Sequence, residues 1–401
     1  MNNELFFFLF ITVQILIGYN LIFPLFLYFL HWAKSKFSFI KSLIPAPARF
    51  DYAIIVTAYE QTHTLPAVVD SLLKLNYENY LIYIVADKCN VQDLNFNSDK
   101  VILLRPEQTL SSNTRSHFYA INRFKRNHDI LTIIDSDNLV HPEYLNELSI
   151  YFEKGYEAVQ GLRSAKNLDT TYACLDAARD IYYHYYDGKL LFQLGSSATL
   201  AGSGMAFTTR LYKECLEHQD VTGAGFDKVL QAEIVKRNKR IAFAENAKVF
   251  DEKTSRTDQL VNQRSRWINT WFRYFKYGFV LLLAGIKNFS WNQLLFGLVL
   301  LRPPLFIFLI LSVMLMTLNL LIDPKITLIW LIGLLTFVVG FIIPLLNSKT
   351  DKRIIRSLAN IPKFMFFQVV SLMNARGANK RSVATRHSND VKIEEVIERN
   401  Y

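Results

Sequence analysis

Two familiar phosphate cradles are missing from this chain. Its 15 glycines form no Gly-x-Gly-x-x-Gly and no Gly-x-x-x-x-Gly-Lys-Ser/Thr run, so a nucleotide diphosphate would find neither usual backbone nest. Cysteine is also scarce, with Cys89, Cys174 and Cys215 odd in number and far apart. That spacing excludes a disulfide framework and a cysteine metal site, and it suits a reducing compartment. Despite a net charge of +10, there is no arginine-rich helix and no aromatic–basic motif, so no nucleic-acid partner is expected.

Apolar residues are in excess, at 51% of 401, with 31 Phe and 20 Tyr. Leu5 to Leu30 carries only Thr12, Gln14 and Asn20 among its polar side chains, enough to cross a hydrocarbon core of about 30 Å. Its flanks, "MNNE" and "LHWAKSK", lack the basic start and small-residue cleavage site of a signal peptide, which predicts a retained anchor. Lys34, Lys36, Lys41 and Arg49 follow it, so the positive-inside rule places the N-terminus outside and the next segment in the cytoplasm. Pro303 to Ile322 and Ile326 to Leu346 read as two further spans, joined by "DPK" as an antiparallel hairpin. The hairpin returns to the basic "NSKTDKR", with Lys349, Lys352 and Arg353.

Residues 266–287 and 360–377 mix aromatic, apolar and basic side chains, as helices lying in a membrane interface do. Arg302 is expected at the membrane face, because an arginine in lipid costs several kcal/mol. The division predicted is an anchor with its basic flank over 1–49, a soluble domain over 50–261, interfacial helices over 262–301, a hairpin over 302–347 and a C-terminal segment over 348–401. The expected location is a multi-pass protein of the plasma membrane or cell inner membrane, with membrane lipids as contacts.

Within the soluble domain, "YAIIVTAYE" (52–60), "YLIYIVADKCN" (80–90), "KVILLRP" (100–106) and "DILTIIDSDN" (129–138) read as strands. Helical spacing at 65–75 and over 113–127 falls between them. Alternating strands and helices predict an α/β domain with an open, mostly parallel sheet covered on both faces. Ligands of such sheets bind beyond the strands' carboxyl ends, where Tyr59, Asp87, Asp135 and Asp137 would meet. A solvated turn is the other reading of "DSD". Two carboxylates so close otherwise need a cation between them, and Mg²⁺ or Mn²⁺ is the hard ion for oxygen ligands and a diphosphate. "TLAGSGMAFTTR" (199–210) reads as a small-residue strand allowing close approach of a ligand, or simply tight packing. Asp227 starts a helix, as a cap or as a working carboxylate. "NQRSRWINTWFR" (262–273) sets Gln263, Arg266 and Trp267 on neighbouring helical faces, as a site or as a membrane anchor.

These motifs, in this order, resemble the membrane-bound glycosyltransferases of family 2, the group of cellulose, chitin and hyaluronan synthases. The resemblance rests on "VTAYE", Asp87, "DSD", "GSGM", Asp227 and above all "QRSRW", which matches the Gln-x-x-Arg-Trp pattern in full. It spans about residues 50–275 and implies a GT-A fold, Rossmann-like, flanked by membrane helices. It further implies that Ala58, Tyr59 and Glu60 border the nucleotide of a nucleotide-sugar donor, commonly a UDP-sugar, with Asp87 at the base or ribose. Asp135 would face the nucleotide and Asp137 would hold the metal. Gly202, Ser203, Gly204 and Met205 would line the acceptor and sugar pocket, and Gln263, Arg266 and Trp267 would meet diphosphate and acceptor. Asp227 falls where the family's base stands, although Phe226 replaces the usual preceding Glu. Arg115 before "AIN" answers the family's lysine before "ALN".

The activity implied is inverting transfer to a lipid-linked or polysaccharide acceptor, alongside other proteins of a polysaccharide pathway. A processive synthase with its own channel is the alternative within that family. Outside it, a membrane transporter or scaffold explains the spans but not the carboxylates. An aspartate-nucleophile phosphatase would carry its Asp-x-Asp on the first strand, not the fourth.

Overall fold

The computed structural model describes residues 2–37, 50–348, 350–379 and 391–400; Lys41, Arg49 and Lys349 lie outside the described residues. Eight strands form one sheet: β1 (Tyr52–Tyr59), β2 (Tyr80–Asp87), β3 (Val101–Leu104), β4 (Ile130–Asp135), β5 (Leu139–Val140), β6 (Ala158–Ala165), β7 (Met205–Thr208) and β8 (Ile241–Asp251). Their order is β3-β2-β1-β4-β7-β6-β8-β5. The first four strands are mutually parallel, β7 runs antiparallel to both its neighbours, and β6 and β8 are again parallel. The sheet is therefore mixed and mostly parallel, as the sequence predicts.

Helices α1 (Asn2–Phe37), α2 (Leu65–Leu73), α3 (Asn113–Ile121), α4 (Tyr144–Glu153) and α5 (Thr171–Tyr183) come first. A seven-residue π-helix, His184–Leu190, continues α5 into α6 (Leu191–Gln193), and α7 (Thr209–Leu216) and α8 (Phe226–Lys236) complete the sheet's cover. Then come α9 (Thr257–Tyr274), α10 (Lys276–Lys287), α11 (Trp291–Leu301), α12 (Leu305–Ile322), α13 (Pro324–Asn347), α14 (Lys352–Ser357), α15 (Ile361–Met373) and α16 (Ile393–Asn400).

Strand β1 is apolar at nearly every position because both its faces are buried. Ile54 and Val56 face α2, α4 and α16, whereas Ala53 and Ile55 face α3, α7 and α8. A third cluster, with Phe23 of α1, Tyr186 of the π-helix, Phe308 of α12 and Phe337 of α13, fastens the apolar helices to the domain. Helices α1, α12 and α13 are long and apolar enough to cross a membrane. Asp323 caps α13 by accepting from the Lys325 amide, so the hairpin turns sharply there.

Three local expectations are corrected. The helix expected over 113–127 ends at Ile121. The strand expected over 199–210 is β7 alone, because Gly202 and Gly204 adopt φ of +89° and +66°, a region closed to most side chains. A Cβ on Gly204 would also lie 2.6 Å from a methyl of Val249. Arg302 does not sit at an open face but is buried inside the protein, donating to Asp187 at 2.7 Å and to the Tyr182 hydroxyl at 3.2 Å. Pairing removes the cost of an isolated charge in that setting.

Candidate active site

Parallel register assembles the site. Thr57 pairs with Asp135, and Tyr59 with Asp87, so three strands end side by side at one edge. Because β7 is antiparallel to β4, its preceding turn, Gly202–Gly204, folds back onto the same edge. A cavity of about 1400 Å³ opens there, lined by Ala58, Tyr59, Asp87, Asp135, Asp137, Gly202, Asp227, Gln263, Arg266 and Trp267. It is bounded on the far side by α12, α13 and α15.

Other residues singled out by sequence are placed differently. Glu60 lies outside the cavity lining, at φ +60° and paired with Lys88 at 2.7 Å. Arg115 also lies outside it, in an exposed pair with Asp220 at 2.5 Å. Of "GSGM" only Gly202 lines the cavity. The Ser203 hydroxyl, fully buried, instead accepts from the Asp135 amide at 3.0 Å and meets the Asn138 side chain at 2.7 Å. It holds the carboxylate turn in shape from behind. Asp87 is nearly buried, its two carboxylate oxygens accepting from the amides of Leu110 and Ser111 at 2.9 and 2.8 Å. That tie shapes the loop before α3, whose Ser111 and Ser112 also line the cavity.

Burial, reinforced by Asp137, raises the Asp135 carboxyl to about 7, with Asp251 and Asp227 adding repulsion against the attraction of Arg163. So crowded a set of acids favours a cation. Among the described residues no group of three or more His, Cys, Asp or Glu is arranged to hold a metal ion. A Mg²⁺ or Mn²⁺ ion that takes one or two carboxylates and completes its shell with phosphate and water needs no third protein ligand. Asp135 and Asp137 fit that demand.

Asp227 opens α8 behind Gly225, whose φ of +105° and closeness to Thr270 and Tyr274 leave no room for a side chain. Its carboxylate is mostly covered and lies 3.0 Å from Lys228, which also donates to the Leu200 carbonyl. Gln263 accepts from the Thr254 hydroxyl at 3.1 Å. Burial pushes the Arg266 guanidinium below its ordinary value, leaving it a cation still. Trp267 is half-buried beneath the guanidinium groups of Arg264 and Arg179, 4.1 and 4.5 Å from its ring centre.

Sequence reasoning missed a buried charge cluster behind these residues. Asp251 joins Arg163 and Lys253; Asp180 joins Lys253 and Arg179; Asp176 joins Arg264. Burial alone would raise Asp180, but Lys253, Arg179 and Arg163 overrule it and hold it well below the carboxylate range. Burial does prevail at Asp176, which rises to about 6 despite Arg179. The signal was the i, i+3, i+4 placing of Asp176, Arg179 and Asp180 on one face of α5, with acids and a lysine ending the apolar strand β8.

Paired acids at the strand tips thus face the arginines of α9 across one cavity. The family model "Glycosyltransferase like family 2" matches residues 47–270, more than half of the chain. No curated protein matches the sequence. Among solved structures, the mannosyltransferase PcManGT from Pyrobaculum calidifontis, in complex with GDP-Man and Mn²⁺, is similar in fold, with a TM-score of 0.52 at 12% identity over 90% of this chain and 97% of that one. S. aureus TarS (residues 1–349) aligns at a TM-score of 0.40 and 12% identity, over 82% of this chain and 90% of that one. The chain belongs to glycosyltransferase family 2. It is a glycosyltransferase with a GT-A-like domain, flanked by helices apolar enough to span a membrane.

Proposed function

We propose that the protein moves a sugar from a nucleotide-sugar donor, most simply a UDP-sugar, to a lipid-linked or polysaccharide acceptor, with inversion. The carrying observation is one cavity that gathers Asp135, Asp137 and Asp227 on one side and Gln263, Arg266 and Trp267 on the other. The neighbour PcManGT was solved with GDP-Man and Mn²⁺, in keeping with a nucleotide sugar and a divalent ion.

Asp135 and Asp137 would hold Mg²⁺ or Mn²⁺, which when bound neutralises charge growing on the leaving diphosphate. Arg266 adds a desolvated positive charge on the same leaving group. Asp227 takes the proton of the acceptor hydroxyl as that oxygen attacks the anomeric carbon from the face opposite the diphosphate, giving inversion. Trp267 offers its exposed face to a sugar ring, held in place by the two arginines above it.

The motif order is that of cellulose, chitin and hyaluronan synthases. Only three spans are found among the described residues, which favours single addition over threading a polymer through a self-made channel. The basic flanks place the catalytic domain in the cytoplasm and the N-terminus outside, in a plasma or inner membrane. A panel of nucleotide sugars with detergent-purified protein, read as diphosphate release and product mass without metal and with Mg²⁺ or Mn²⁺, tests the reading. No release from any donor with either metal refutes it.

A further inference from the structure

The cavity does not stop at its polar wall. It continues between α12, α13 and α15, where Phe337, Val338, Phe341, Ile342, Ile361 and Met365 line it. Val338 and Ile342 belong to a helix long and apolar enough to cross a membrane, and both are exposed, as is Ile361 of α15. This end of the cavity is thus walled by residues that meet hydrocarbon. A polysaccharide lying along it would bury hydroxyl groups with nothing to bond them; an alkyl chain would bury nothing polar.

Where the apolar and polar walls meet stand Arg264 and Arg179, both lining the cavity. The Arg264 side chain is 3% exposed, one of its amino groups on Asp176. Its Nε and its other amino nitrogen are buried without a hydrogen-bond partner, as is the Nε of Arg179. Buried N–H groups are rarely left unmatched without a reason. The cluster around them sets four cations, Arg163, Arg179, Lys253 and Arg264, against three carboxylates, Asp176, Asp180 and Asp251.

We propose that this junction seats a long-chain lipid phosphate drawn sideways from the bilayer, its tail between α13 and α15 and its phosphate at Arg264 and Arg179. The seat rests on the transferase reading and names the carrier of the acceptor. A hydrocarbon tail matches the apolar wall, and a phosphate matches the unmatched donors of Arg264 and Arg179.

The test uses the full chain in zwitterionic nanodiscs with photoactivatable hexadecyl phosphate and the matching hexadecanol. Hexadecyl phosphate is expected to label Phe341 and Met365, and to compete about tenfold or more better than the alcohol, as a charged hydrogen bond predicts. V338W should cut that labelling severalfold. R264Q alone leaves buried Asp176 with only Arg179, 3.4 Å away, and can fail to fold, so D176N/R264Q removes both charges; it should abolish the preference for phosphate. Equal labelling by the two probes, labelling confined to outward residues such as Leu331, or an unchanged preference in D176N/R264Q would overturn the proposal. Nucleoside diphosphate release without any lipid probe reports the transferase reading separately, so the two can fail independently.

Discussion

Asp187→Asn removes one charge from the buried pair that ties the π-helix to the start of α12. Asp187 and Arg302 are 6% and 7% exposed, and their closest atoms are 2.7 Å apart. At an effective dielectric of about 20, that separation is worth roughly 6 kcal/mol of gross attraction. Arg302 keeps only the Tyr182 hydroxyl at 3.2 Å, and its Nε is already buried without a partner. Breaking such a pair from one side typically costs about 3–5 kcal/mol, because the surviving charge stays desolvated. The expected result is a thermal midpoint lower by about 4–6 °C for the detergent-purified protein, followed by tryptophan fluorescence. Arg302→Met should fall by a similar amount. The double variant, Asp187→Leu with Arg302→Met, should recover most of the loss, since two matched apolar groups strand no charge. A midpoint for Asp187→Asn within a degree of the parent, or a double variant worse than the sum of the singles, would refute the reasoning.

Asp227→Asn is expected to keep donor affinity and to lower transfer by about 10² to 10⁴, the usual worth of a positioned base; full turnover would remove it from that role. Asp137→Ala should abolish the Mn²⁺-dependent part of nucleotide-sugar binding measured by calorimetry, and unchanged affinity would count against the metal site. Ser203→Ala strands two buried groups, the Asp135 amide that donates to the hydroxyl and the Asn138 side-chain oxygen that accepts from it, and should cost about 2–5 kcal/mol, visible as a lower thermal midpoint with weakened metal response. Burial lowers His117 to about 3, against an ordinary 6.5. The unfolded chain therefore binds the extra proton between those values, so stability falls as pH drops from about 6.5 towards 3. At pH 5 the loss is about 2 kcal/mol, and His117→Gln should flatten that part of the melting-versus-pH curve; an unchanged slope would contradict the burial.

Periodicity made much of the architecture legible. Runs such as "YAIIVTAY" and "ILTIID" read as strands buried on both faces, and three long apolar stretches read as helices long enough to cross a membrane. Tip residues Asp87, Asp135 and Asp137 were readable because parallel strands present their carboxyl ends together, whatever the register. The short β5 and the turn at Gly202–Gly204 were not, since small residues satisfy a strand pattern and a left-handed turn equally well.

What chain order could not decide is which charges lie buried together. Arg163, Asp180, Asp251 and Arg264 are separated by up to a hundred residues, and each alone looks like a solvated surface charge. Packing of α5, β6, β8 and α9 brings them into one buried layer, where low polarizability turns ordinary ion pairs into strong constraints. The same packing sends Glu60 and Arg115 outward, and turns Ser203 from a pocket residue into the prop behind Asp135. Local pattern sets which residues can form strands and helices, because hydrophobic spacing acts over a few residues. Electrostatic partnership acts through space, and only the folded chain settles it.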